Sequence, residues 1–321
     1  MKEHLEQGLR RESRFPSRKE TAWVLGLFAL FFLVTGVFVT LRADHFLLAA
    51  LFLGLFFASN PTRKLAVALI PFLIFAVSYD WMRIWPNYMV NDIDVRGLYE
   101  AERSCFGITT SEGVCMTLCE FFALHHCSVA DVFAGIFYLC WVPLPIAFGL
   151  WLYFRGERRG YLHFALVFLL VNLIGFAGYY IHPAAPPWYV LQYGFDPVLG
   201  TPGNVAGLGR FDELVGLPIF QGIYGRNANV FAAVPSLHAA YMLVALLYAI
   251  KTRRSLWMRL AFAVVMVGIW WTAVYSGHHY VIDVLLGISC ALIGFLLFEY
   301  GLMRLSGFRR FMERYERYIV C

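Results

Sequence analysis

His278-His279-Tyr280-Val281-Ile282-Asp283 opens one apolar run of the chain, and Pro235-Ser236-Leu237-His238 opens an earlier one. On a helix, residues four apart lie one above the other. Asp283 can therefore hold one ring nitrogen of His279 and leave the other free to attack. His278, five positions from Asp283, fits that geometry less well. A single histidine at a helix end is ordinarily a cap or interface residue, and Pro-Ser is an ordinary helix start. Asp283, however, falls inside an apolar span, where an ionisable group is costly and marks function. Two such elements on one side of a membrane read as a catalytic site.

The surroundings are those of a membrane protein. Hydrophobic residues make up 60% of the 321, charged residues 15%, and the mean hydropathy is +0.64, which excludes an ordinary soluble domain. The expected fold is all-α, a polytopic membrane helical bundle. Windows of roughly 17–25 residues, the length that spans a bilayer, fall near 21–41, 45–60, 64–84, 131–154, 161–181, 233–250, 256–275 and 279–303. This predicts about eight transmembrane helices, the second short enough to be a hairpin partner or re-entrant. There is no internal repeat, low-complexity tract or soluble domain.

The formal charge of +5 does not call for nucleic acid, because the basic residues mark one side of the membrane. Segments 1–20, 61–64, 155–160, 251–259 and 304–321 hold 20 of the 26 Lys and Arg, as expected of cytosolic segments. Both termini, the basic tails 1–20 and 304–321, are therefore predicted to be cytosolic. The N-terminal stretch lacks the small-residue cleavage site of a signal peptide. Loops 85–130 and 182–232 fall outside, with His238 and His279. That side is the periplasm if the membrane is a bacterial inner membrane, which the short tails favour, or the lumen of a Golgi membrane.

Four cysteines, Cys105, Cys115, Cys119 and Cys127, cluster in the first outer loop. They form one or two disulfides if that side is oxidising, or remain thiols. His125 and His126 beside Cys127 lack the second ligand pair of a zinc site, and no metal or cofactor is expected. The prolines and glycines of 182–232 predict a cap of sharp turns rather than helix. Trp188 and Tyr189 suit a membrane interface.

A neutral histidine is a good nucleophile toward phosphorus, and a second can protonate a departing alkoxide and later deprotonate an incoming hydroxyl. Helix N-termini add N–H groups and a positive dipole end that suit a phosphate. Arg210 and Arg226 are available on the same side to offset developing charge. None of this chemistry requires a metal.

The Pro-Ser-Leu-His and His-x-x-x-Asp elements resemble the second and third motifs of the type 2 phosphatidic acid phosphatase superfamily. The resemblance implies His279 as the phosphoryl-accepting nucleophile, Asp283 as its orienting carboxylate and His238 as acid and base. It also implies a six-helix lipid-phosphatase-like core at 64–303, with the two helices of 21–63 as additions. The phosphatases' first motif, a lysine with an Arg-Pro pair, is replaced here by Ala184-Ala185-Pro186-Pro187-Trp188-Tyr189. Their Ser-Arg pair is replaced by Thr272-Ala273. Instead Pro186-Pro187-Trp188-Tyr189, Gly207-Leu208-Gly209-Arg210-Phe211-Asp212, Ala233-Val234-Pro235-Ser236-Leu237-His238 and the doubled histidine are similar to the aureobasidin-sensitive inositol phosphorylceramide synthases and their bacterial relatives.

That similarity implies a phosphotransferase with a phospholipid donor, such as phosphatidylinositol, and a ceramide acceptor. It would act through a phosphohistidine and release diacylglycerol. Arg210, Ser236, His278, Pro187, Trp188, Tyr189 and Asp212 are the expected substrate and phosphate contacts, with Asp196, Glu213 and Asn227 further hydroxyl partners in the cap. A phosphatase using water, or a sphingomyelin-type or glycolipid headgroup transferase, would use the same histidines. A channel or transporter fits poorly, since the charges gather at one interface rather than along a membrane path. Nothing in the chain indicates an oligomeric state.

Overall fold

A computed structural model describes residues 15–225 and 229–320. Arg226 and Asn227, along with most of the N-terminal basic tail, lie outside the described residues. The chain opens with two apolar helices, α1 (Arg18–Phe38) and α2 (Ala43–Ala58), followed by α3 (Asn60–Ala68) and α4 (Ile70–Trp81). The single span predicted at 64–84 is thus two helices, bent by 48° at their junction. Pro71 sits in the first turn of α4 and cannot continue the hydrogen-bond ladder of α3.

The stretch 85–130 carries α5 (Arg96–Phe106), an antiparallel hairpin of β1 (Ile108–Thr109) and β2 (Cys115–Met116), and α6 (Leu118–Leu124). Then come α7 (Ser128–Leu139), α8 (Pro143–Phe154) and the long α9 (Arg158–Ile181). Among its described residues, the stretch 182–232 holds three short α-helices, α10 (Pro187–Tyr193), α11 (Gly209–Val215) and α12 (Ile219–Tyr224). This corrects the expectation of turns alone, because Pro187 occupies the first turn of α10, where a missing N–H costs nothing. The chain closes with α13 (Leu237–Lys251), α14 (Leu256–Tyr275), α15 (Val281–Leu296) and, after a π-helical turn at Leu297–Gly301, α16 (Ser306–Ile319).

Among the described residues, five segments are long and apolar enough to cross a membrane: α1, Ser128–Phe154, α9, α14 and Val281–Arg304. The bent α3–α4 pair makes a sixth if it is one span, while α2 and α13 are shorter apolar helices. Exposed Leu27, Leu33, Val264, Leu285 and Ile293 turn an apolar surface outward, as a lipid-facing bundle requires.

α9 is the central helix, packed against α4, α8, α13 and α15, and most of its residues between Tyr161 and Tyr179 are buried. Its one buried amide, Asn172, accepts from Tyr241 Oη on α13 and donates to the Phe168 carbonyl, so the polar group is satisfied. α1 and α2 form a separate apolar cluster around Phe28, Phe52 and Phe56. It is tied to α4 by Asp80, which accepts from Arg42 at 2.6 Å and faces His45 Nε2 at 3.0 Å. All six described cysteines are free thiols.

Candidate active site

The two histidine elements meet because the backbones of α13 and α15 touch. Ser236 N–H donates to the Asp283 carbonyl at 3.0 Å. A Cβ on Gly287, one turn further along α15, would lie 2.0 Å from the Ser236 carbonyl oxygen. Only glycine permits this approach. It brings His238 Nδ1 to 3.0 Å from His279 Nε2, with His279 buried and His238 part-buried. On its other side His279 presents Nδ1 to Asp283 Oδ2 at 3.4 Å, close enough for an ion pair but not aligned as a hydrogen bond. Asp283 Oδ2 also accepts from the Tyr280 N–H at 2.9 Å.

The turn carrying His278 and His279 is braced by segments distant in sequence. Gly277, in the left-handed region at φ +73°, accepts from the Trp188 N–H, and Ser276 accepts from the Gly207 N–H. Cys119 Sγ donates to the His279 carbonyl. The Pro-Pro-Trp-Tyr and Gly-x-Gly-Arg runs therefore lock the turn of His278 and His279 from the cap.

A cavity of about 330 Å³ opens onto His238, His278 and His279, walled by Phe75, Tyr79, Trp141, Phe176 and Trp188. Trp141 lies 4.2 Å from His238, and Tyr138 stacks on it at 5.0 Å. Tyr224 Oη, from α12, stands 3.4 Å from His238 Nε2. Burial, with the Tyr138 phenol second, holds Tyr224 well above the ordinary phenol range, so it keeps its proton.

Burial pushes His278 down to about 3, His279 adding to the shift, so this imidazole is neutral at pH 7. Its Nδ1 pairs with Ser276 Oγ at 2.9 Å, while Nε2 is buried without a partner among the described residues. A folded-state value below the unfolded one means the unfolded chain binds the extra proton. Stability from His278 is then complete above about pH 6.5 and lost as pH falls toward 3. Thermal midpoints in detergent should drop over that window, and His278→Gln should flatten the drop.

The remaining expected contacts are placed differently. Arg210 Nε donates to Asp131 Oδ1 at 2.6 Å, beside the Tyr275 hydroxyl. Its guanidinium lies against Gly207 and Ser276 in a separate cavity of about 110 Å³ behind Trp188, not among the residues lining the histidine cavity. Ser236 is buried with its hydroxyl unpartnered. Tyr189 is committed within the cap to the Asp196 carbonyl and the Val198 N–H. Asp212 accepts from Phe220 and Gln221 N–H and so caps α12.

Glu102, on α5, is the residue that sequence reasoning missed. It is fully buried and accepts from the N–H groups of Val281 and Ile282 at 2.9 and 3.1 Å. Together with Asp283 it takes the first N–H groups of α15, so the expectation that this N-terminus serves a phosphate is corrected: protein carboxylates already occupy it. Burial raises the Glu102 carboxyl and Asp283 adds to that, against the lowering by the two N–H groups. Glu102→Gln would turn an NH₂ toward one of these donors, and a buried unsatisfied N–H costs about 1–3 kcal/mol. The variant should lose about tenfold in kcat with KM little changed, measured on protein that still folds.

The family model of the PAP2 superfamily matches residues 113–297, the stretch containing every residue of the histidine pair and its cap. The phosphoinositol dihydroceramide synthase of Bacteroides thetaiotaomicron is 68% identical over 304 residues, 95% of this chain and 99% of that protein. The inositol phosphorylceramide synthase catalytic subunit AUR1 of Saccharomyces cerevisiae is 26% identical over 261 residues, 78% of this chain and 59% of the yeast protein. The inositol phosphorylceramide synthase of Candida albicans is 28% identical over 174 residues, covering 50% and 35%. No solved structure matches. With two facing histidines, an acid one turn on and the family's pattern over most of its helical core, the chain belongs to the PAP2 superfamily.

Proposed function

We propose that this protein transfers inositol phosphate from phosphatidylinositol to the primary hydroxyl of a ceramide, releasing diacylglycerol. The observation that carries this is the histidine pair opening into an apolar-walled cavity, which suits two lipid substrates better than a soluble one. The name of the Bacteroides relative points to dihydroceramide as acceptor.

In the first half-reaction His279 Nε2 attacks phosphorus, its Nδ1 proton held toward Asp283, while His238 protonates the departing diacylglycerol oxygen. The inositol phosphate is then bonded to His279. In the second, neutral His238 takes the proton of the ceramide hydroxyl, whose oxygen attacks phosphorus and frees His279. At 3.0 Å the two ring nitrogens are in mutual contact, so substrate entry must part them, with Tyr224 receiving His238. His278 Nε2 is a donor for a phosphoryl oxygen. We further assign eight membrane crossings, six of them the core, with both termini cytosolic and the site facing the periplasm.

Purified protein in detergent, given inositol-labelled phosphatidylinositol with and without dihydroceramide, tests the reading. Labelled sphingolipid should form only with the acceptor. Soluble inositol phosphate released regardless of acceptor would identify a hydrolase.

A further inference from the structure

At the opposite end of the bundle the start of α9 and the end of α13 frame a larger cavity of about 580 Å³. His238 lines the first cavity and Lys251 the second, about 20 Å apart along α13 at 1.5 Å per residue. Five cations line it, Arg158, Arg159, Lys251, Arg253 and Arg254, against two carboxylates, Glu157 and Glu316. Arg254 is committed to Glu157 by two bonds of 2.7 Å, and Lys251 to the buried Glu299. Arg158 lies over the Tyr153 ring at 3.4 Å. Arg159 and Arg253 are exposed at the cavity, and neither meets a carboxylate among the described residues. Arg253 holds a left-handed φ of +54°, a strained setting for a non-glycine residue.

One further feature turns toward an anion: among the described residues, no side chain caps the first N–H groups of α9, which begins in this cavity. On the inner wall His163, only 6% exposed, donates its Nδ1–H to Glu299 at 3.1 Å, and with Tyr248 and Lys251 it satisfies that carboxylate without the rim arginines. We propose that this cavity is a second binding site, specific for a phosphate group, carried by an anionic phospholipid or free in solution, and separate from the reacting lipids. Surplus arginines at the rim and uncapped N–H groups together form such a site.

Native mass spectrometry of delipidated protein, titrated with phosphatidylglycerol, phosphatidylcholine or inorganic phosphate, tests this. One phosphate-bearing anion should bind about tenfold or more tightly than phosphatidylcholine. R159Q/R253Q should remove that preference. His279→Ala should keep it, as should R310Q/R314Q, two exposed arginines of α16 outside the cavity. Phosphatidylglycerol alone binding would make the carrier a lipid; displacement by millimolar phosphate would make it the free ion. Equal retention of both lipids with no phosphate bound would overturn the site. So would an equal loss in R310Q/R314Q, which would show only a diffuse basic face.

Discussion

His279→Ala is expected to lower lipid transfer by about 10³–10⁴-fold or more, the scale on which nucleophiles and their bases act. The fold should survive, because the turn is held by its backbone: His279 N–H donates to the Ala273 carbonyl and its own carbonyl accepts from Cys119. Neither contact uses the imidazole. His238→Ala should cost about 10²–10⁴-fold, the range of a single general acid and base. The double variant should be little worse than His279→Ala alone, since both act on one step. Turnover of the three proteins under one set of conditions, with thermal midpoints alongside, checks all of this. Additive losses would mean that the two rings act independently.

The second large effect is expected at a residue with no chemistry. Gly287→Ala places a methyl group where the Ser236 carbonyl oxygen stands, 2.0 Å away. That oxygen is backbone and cannot rotate aside, so α13 and α15 must part. The parting moves His238 relative to His279 and strains the Ser236 to Asp283 bond. A displacement near 1 Å costs about 10²-fold in a site built on orientation. We expect that loss in kcat, or failure to fold, with Gly26→Ala, which meets nothing within 4 Å, as the neutral control. Activity of Gly287→Ala within threefold of the parent would show that the helices tolerate separation.

Much of this site is legible in the chain because its chemistry is local. His279 and Asp283 lie one turn apart, and Pro235–Ser236 announces the helix that carries His238, so spacing alone singles out these residues, while the roles proposed for them are what the family resemblance implies. Apolar runs likewise reveal the long helices, although the bend at Pro71 breaks one of them. What stays hidden is whatever depends on distant loops. Glu102 looks like any acid in a polar stretch until α5 folds under α15, and Tyr224 reaches His238 only through the cap. Arg210 shows the converse. Its charge and its place in the loop before His238 fit a phosphate contact, yet Asp131, 79 residues away, claims it from α7.

The stereochemistry at phosphorus tests the central claim most directly. Phosphatidylinositol made chiral at phosphorus with oxygen isotopes and sulfur is converted with dihydroceramide, and the product configuration is read by ³¹P NMR. Two in-line displacements through His279 give net retention, the result expected here. Inversion would mean that ceramide attacks the donor directly, and His279 would then hold no intermediate.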